Sequence, residues 1–356
     1  MSQTMDFRSD NVASVAPEIM AALERVNHGT VASYGGDAIS QRLDGLFSAL
    51  FEKSVRVFPV STGSVANALA LSVMTPPYGA IYAHSLSHVN GEECGAPEFF
   101  SGGARVVGLE GEGGKIAPAM LERALASSGK GFVHCAQPAA LTLTQSTEWG
   151  RVYSLAEVAA LSAIARRAGL GVHMDGARFA NAVAGLGCTP ADITWRAGID
   201  ALSFGATKNG ALAVEAIVLF RTELADDLAF RHKRAGQLAS KMRFFSAQLE
   251  AYVADDLWLK LARHANRLAK RLGEGLARLD GATLVAPVEA NEVFVDLPRS
   301  MVDGLRTEGA LFFGWPEPWV DSPTIRLVTR HDMAEAEVDR LLEVAARLAT
   351  QVRRSA

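Results

Sequence analysis

Apolar positions along this chain follow two rhythms, and the change between them comes near residue 220. From residue 54 to 220, short apolar runs that read as strands alternate with longer stretches of helical period. The predicted strands are Ser54–Val60, Ala80–His84, Arg105–Leu109, Ala140–Gln145, Gly171–Asp175, the run beginning at Ala201, and Glu215–Phe220. The predicted helices between them are Val65–Leu71, Pro118–Ser127 and Leu155–Ala168, the last closed by Gly169 in a position that suits a left-handed residue. Strand–helix alternation of this kind predicts a mostly parallel sheet with right-handed crossovers, an α/β fold.

Before this block, Pro17–Val26 reads as an amphipathic helix ended by Asn27–Gly29, and Tyr34–Asp37 as a loop. Beyond residue 220 the pattern is helical over Thr222–Ala239 and Asp256–Arg278. Gly281 and Pro287 mark a boundary, followed by short strands at Asn291–Leu297 and Thr324–Val328, a helix at Met301–Glu308 and a last helix at Met333–Val352. The expected organisation is an N-terminal arm and helix (1–27), a large α/β domain (28–250), and a linker helix with a small C-terminal α+β domain (251–356).

Composition narrows the classes. The chain has 356 residues, 49% hydrophobic and 21% charged, ample for a large core and two domains. A formal charge of −4 and a pI near 6.1 favour neither nucleic acid nor an anionic membrane as partner. Cys94, Cys135 and Cys188 lie far apart without a CxxC, which suits a reducing, cytoplasmic compartment better than a disulfide framework or a zinc cluster. Met1–Arg8 has no apolar core of a signal peptide, and no apolar run reaches the ~18 residues of a membrane span. No ligand cluster demands a metal.

The candidate chemistry sits at strand ends. Lys208 falls in a small-residue turn between two apolar runs. A lysine there costs free energy unless it has a partner or a task, and a desolvated, neutral amine can attack a carbonyl. The functional reading is a lysine holding the aldehyde of pyridoxal phosphate; the plain reading is a surface-turn lysine whose stem packs. Ser61–Ser64, between a strand and a helix, is suited to an anion or to simple N-capping. His88 follows a strand, as a ring-stacking or acid/base residue or an ordinary loop histidine. Asp175 ends a strand, where it could pair with a pyridinium nitrogen or cap a helix. Arg178 could grip a carboxylate bidentately. The polar arm Phe7–Asn11 could lie over a site, or pack as a loop. The basic stretch Arg231–Arg243 reads by default as a solvated face.

Five motifs in register give the constellation its specificity: His88 with Glu93–Phe100, Thr144–Glu148, His173–Phe179, Phe204–Gly210 and Gln237–Arg243. With these, and over nearly the whole chain from Ser9 to Thr329, the sequence resembles the threonine aldolase family of fold-type-I (aspartate-aminotransferase-like) pyridoxal-phosphate enzymes, in particular the low-specificity L-threonine and phenylserine aldolases. The resemblance implies a cofactor on Lys208, with Asp175 at its ring nitrogen, Gly63 and Ser64 at its phosphate and His88 on its ring. It implies Ser9, Arg178 and Arg326 around the substrate carboxylate. It also implies Arg243 and Tyr34 reaching across an interface in a homodimer or homotetramer. The implied reaction is cleavage of a β-hydroxy-α-amino acid to glycine and an aldehyde. Many relatives have histidine where this chain has Glu148, so His88 and Glu148 both stand as candidate bases. The rivals are an aminotransferase, a β-eliminating lyase and a non-catalytic protein of the same fold.

Overall fold

The computed structural model describes residues 5–315 and 322–355, so the first four residues of the N-terminal stretch lie outside the described residues. In chain order its strands are Met5–Asp6 (β1), Arg56–Val60 (β2), Gly79–His84 (β3), Arg105–Leu109 (β4), Gln137–Thr144 (β5), Gly171–Gly176 (β6), Ala201–Phe204 (β7), Glu215–Leu219 (β8), Thr283–Leu284 (β9), Glu292–Asp296 (β10), Ala310–Leu311 (β11), Phe313–Gly314 (β12) and Thr324–Val328 (β13). Seven of them form one sheet in the order β2-β8-β7-β6-β5-β3-β4. Only β8 runs against its neighbours, β2 and β7; all other pairs are parallel. Helices cover both faces of such a sheet, so its central strands read as near-continuous apolar runs. Every residue of β6, β7 and β8 is buried.

Polar groups inside this sheet are satisfied. His173 on β6 contacts the Thr142 hydroxyl at 2.9 Å through Nδ1 and the Ser203 hydroxyl at 3.0 Å through Nε2. Burial pulls its pKa down to about 4, so it is a neutral core histidine. The largest packing cluster centres on Phe204, whose ring lies 5.3 to 6.3 Å from those of Phe47, Phe51, Phe179, Tyr252 and Trp258. Gly205 follows at once. A Cβ there would meet the carbonyls of Ala177 and Gly176 at 2.5 and 2.6 Å. Only glycine lets the turn after β7 pass this close to the turn after β6.

A four-stranded antiparallel sheet, β12-β13-β10-β9, lies apart from the first and has its own core with the helices Leu257–Leu276 and Glu335–Ser355. The arm is threaded into this region. β1 pairs with β11, and the Phe7 carbonyl accepts from the Val328 N–H at 2.9 Å. Further on, the Ala16 N–H donates to the Gly210 carbonyl at 2.9 Å, tying the arm to the turn that carries Lys208.

Two expectations change. The helix expected over Thr222–Ala239 stops at Arg234, and Gly236 takes a left-handed φ of 74°. The Gln237 side chain then leaves the helical path to accept from the Ser61 N–H and hydroxyl at 2.9 and 3.0 Å. Beyond it, Arg243–Val253 forms a helix the apolar pattern did not single out. The pattern also passed over Ala38–Leu50, which Asp37 caps by accepting from the Ile39 and Ser40 N–H groups. Among the described residues no helix is long and apolar enough to cross a membrane.

Truncating the hub ring should destabilise the chain markedly. Phe204→Ala is expected to cost about 3–5 kcal/mol, and Ser154→Ala, which removes the cap of the helix Leu155–Ala168, about 1 kcal/mol. Urea unfolding of the two variants beside the parent checks the ranking.

Candidate active site

Parallel strands end on one side, and the turns that follow them line one cavity of about 380 Å³. Register sets its floor. Thr144 of β5 lies opposite Asp175 of β6, which lies opposite Ser203 of β7, and all three line the cavity. Because β8 runs the other way, it begins where its neighbours end. Its first residue, Glu215, lies opposite Val60 and enters the same wall.

After β2, Thr62 caps the helix Gly63–Ser72 by accepting from the Val65 N–H at 3.3 Å. The N–H groups of Gly63 and Ser64 remain without helical partners at the positive end of the helix, and a Cβ at Gly63 would meet open space. This turn therefore both caps its helix and presents anion-binding donors. After β3 comes His88, whose Nδ1 lies 2.9 Å from Glu93 Oε1. That hydrogen bond, against the opposing effect of burial, holds the imidazole above its ordinary pKa.

After β5, a cis peptide between Gln145 and Ser146 leads to Glu148. Its Oε1 accepts from the His88 main-chain N–H at 2.8 Å, while Oε2 is buried without a partner. Burial raises its pKa to about 7, more than those hydrogen bonds lower it. Asp175, after β6, is buried and accepts from Asn67 Nδ2 at 2.9 Å and the Ala177 N–H at 3.1 Å. Lys208 is half-buried in the turn after β7, and among the described residues no side chain is hydrogen-bonded or ion-paired to its Nζ. Its setting is more polar than the flanking apolar runs imply. Glu215, buried and raised to about 7, accepts from the Ala206 N–H at 2.6 Å and so braces this turn.

The arginines are held differently from one another. Arg178 donates through Nε and Nη2 to the two oxygens of buried Asp10 at 2.8 and 3.1 Å, with Glu292 at 3.5 Å. Burial opposes its charge, but these carboxylates keep it protonated well above the usual range. The bidentate grip expected of Arg178 is thus already spent within the chain. Arg326 lies over the Trp315 ring at 5.2 Å, its Nε is buried without a partner, and burial lowers its pKa.

Of the residues singled out from sequence, Ser9, Gly63, Ser64, His88, Glu148, Asp175, Arg178, Lys208 and Arg326 line this one cavity. Tyr34 and Arg243 do not line it within the same chain. Tyr34 is half exposed with the Lys233 ammonium 4.7 Å from its ring, and Arg243 donates to the His28 carbonyl at 3.2 Å. Sequence reasoning missed Asn67, Ser203, Glu215 and Trp315. Asn67 and Glu215 carried a signal, each a lone polar residue inside an apolar run; Trp315 carried none. Among the described residues no group of three His, Cys, Asp or Glu is placed to hold a metal ion.

Residues 6–300 match the family model described as beta-eliminating lyase. The chain is 43% identical over 339 residues to a low specificity L-threonine aldolase of a Pseudomonas species, covering 95% of this chain and 96% of that protein. It is 44% identical over 310 residues to the protein of that name from Pseudomonas aeruginosa, covering 87% and 89%. Among solved structures it superposes on the threonine aldolase of Leishmania major with a TM-score of 0.89 at 29% identity, covering 97% and 99% of the two chains. The architecture is that of fold type I, as expected.

The raised pKa of Glu148 has a testable sign. From its ordinary value of 4.5 up to about 7, the native state keeps a proton that the unfolded chain has lost. The contribution of this group is therefore full below pH 4.5 and declines as pH rises to about 7. Glu148→Gln is expected to flatten the fall in stability across this window. The infrared band of a protonated carboxyl group at a pH just below 7 should weaken in the same variant. An undiminished band would assign the proton elsewhere.

Proposed function

Because the chain belongs to the beta-eliminating lyase family and to the threonine aldolases within reach of it by sequence, we propose that it cleaves L-threonine, L-allo-threonine or phenylserine-type β-hydroxy-α-amino acids to glycine and an aldehyde, using pyridoxal phosphate. The observation that carries this reading is the donor set gathered in this one cavity. Pyridoxal phosphate offers a phosphate, a ring nitrogen and an aldehyde. Facing it are the free N–H groups of a helix start at Gly63 and Ser64, a buried carboxylate at Asp175 and an amine without an ion-pair partner at Lys208. The residues fit the group.

Bound there, the cofactor supplies an electron sink for negative charge at Cα. Lys208 would hold it through Nζ, Asp175 would keep its ring nitrogen protonated, Ser64 and Gly63 would hold its phosphate, and His88 would lie against its ring. Arg326 would take the substrate carboxylate, assisted by Ser9, with Arg178, held by Asp10 and Glu292, lining the cavity beside it. This grip turns the Cα–Cβ bond to the orientation in which it breaks. Glu148 Oε2 takes the β-hydroxyl proton as the aldehyde departs. A carboxyl group whose pKa lies near 7 both accepts that proton and returns it. His88, directly or through water, is the alternative base.

On this reading residues 28–250 form the large domain and 251–356 the small one, with the arm 1–27 closing over the cavity between them. A second copy in a cytoplasmic homodimer or homotetramer brings Tyr34 and Arg243 to the cavity. β-Elimination, the activity for which the matched family is described, is the second reading. It would release ammonia and a keto acid.

Incubating the purified protein with the three β-hydroxy amino acids, and assaying glycine, aldehyde and ammonia, separates the readings. Glycine is expected with the parent and none with Lys208→Ala. Glu148→Gln should lower kcat about 100-fold with a smaller change in KM; an unaltered kcat would remove Glu148 from the reaction.

A further inference from the structure

We infer that Glu93, anchored by Asn67, is a positioning residue that fixes His88 as its Nδ1–H tautomer, so that Nε2 is the ring nitrogen open to a proton. The inference rests on the role given to His88 above but concerns residues to which that reading assigned nothing. Asn67 Nδ2 lies 2.8 Å from Glu93 Oε1 and 2.9 Å from Asp175 Oδ2. An amide nitrogen has two hydrogens and no lone pair to offer, so both carboxyl oxygens accept. The opposite amide orientation would set a carbonyl oxygen against two carboxylates. Glu93 Oε1 thus accepts from Asn67, and its 2.9 Å contact with His88 Nδ1 is made by a hydrogen on the ring. Imidazole is the stronger base of this pair, which keeps the proton there.

Burial makes the arrangement consequential. Asn67, Glu93 and Asp175 are all buried, and Asn67 Oδ1 and Glu93 Oε2 have no hydrogen-bond partner among the described residues. The chain His88–Glu93–Asn67–Asp175 engages only Asn67 Nδ2, Glu93 Oε1 and Asp175 Oδ2, so these are the contacts on which the buried groups depend. The other charged groups around the ring are Glu92, whose Oε2 is 3.9 Å from Nε2, with Lys208 and Glu148 nearby. The His88 main-chain N–H also holds Glu148. His88 thus has its ring held by Glu93 and its main-chain N–H on Glu148, and Asn67 links Glu93 to the carboxylate proposed for the cofactor ring.

The test is nitrogen NMR of the full-length, cofactor-loaded protein labelled at histidine, with the His88 signals assigned by their absence in His88→Phe. At a pH alkaline enough to leave the ring neutral, the parent should show a protonated Nδ1 and an unprotonated Nε2. Glu93→Gln, which keeps an acceptor oxygen but removes the charge, should retain this tautomer and titrate at lower pH. Glu93→Leu and Asn67→Ala should populate both tautomers and lower kcat about 10- to 100-fold with KM little changed. A parent His88 protonated at Nε2, or Glu93→Leu spectra identical to the parent's, would overturn the inference. Failure of the aldolase reading is seen separately, as an absence of glycine, because the tautomer is read from the ring itself.

Discussion

A parallel sheet finishes its strands on one side, and the rest of this molecule follows from that constraint. Backbone groups leaving the sheet there lose their ladder partners and must turn, cap a helix or bind something. Five strand ends that point one way and the reversed start of β8 bring a helix-capping turn, an imidazole, three carboxyl groups and an amine to the walls of one cavity. The antiparallel direction of β8 matters as much as the parallel strands. It places Glu215 level with the strand ends, where it braces the turn that holds Lys208.

Crowding charges into a buried place needs compensation, and the chain supplies it in two ways. Arg178 is matched by Asp10 and Glu292, a buried group whose truncation on either side would leave an uncompensated charge. Glu148 and Glu215 lack such cations and respond by holding their protons to about pH 7. The first arrangement holds a buried cation rigidly at the cavity wall. The second gives groups that exchange protons near neutrality, which acid–base chemistry requires.

The arm shows how distant segments share this task. It pairs with β11, accepts from β13 and donates to the Lys208 turn, and between those anchor points it delivers Ser9 and Asn11 to the cavity and Asp10 to Arg178. Displacing it would remove the counter-charge of Arg178 as well as a wall of the site.

The sheet was legible because its strands are buried on both faces and therefore stand out as apolar runs; Thr324–Val328 and the Gly169 stop of Leu155–Ala168 were read to the residue. Lys208, Asp175, His88 and Ser64 were legible because each follows such a run. What no local pattern contained was who holds whom. That Arg178 is spent on Asp10, that Gln237 breaks its helix to reach Ser61, and that Asn67 joins Glu93 to Asp175 all depend on side chains remote in sequence meeting at hydrogen-bond distance. Sequence alone settled which segments bury themselves, because apolar periodicity is a local property. The tertiary structure alone decided the ion pairs, the proton-holding carboxyl groups and the register of the cavity, because desolvation and charge pairing are set by neighbours that only folding brings together.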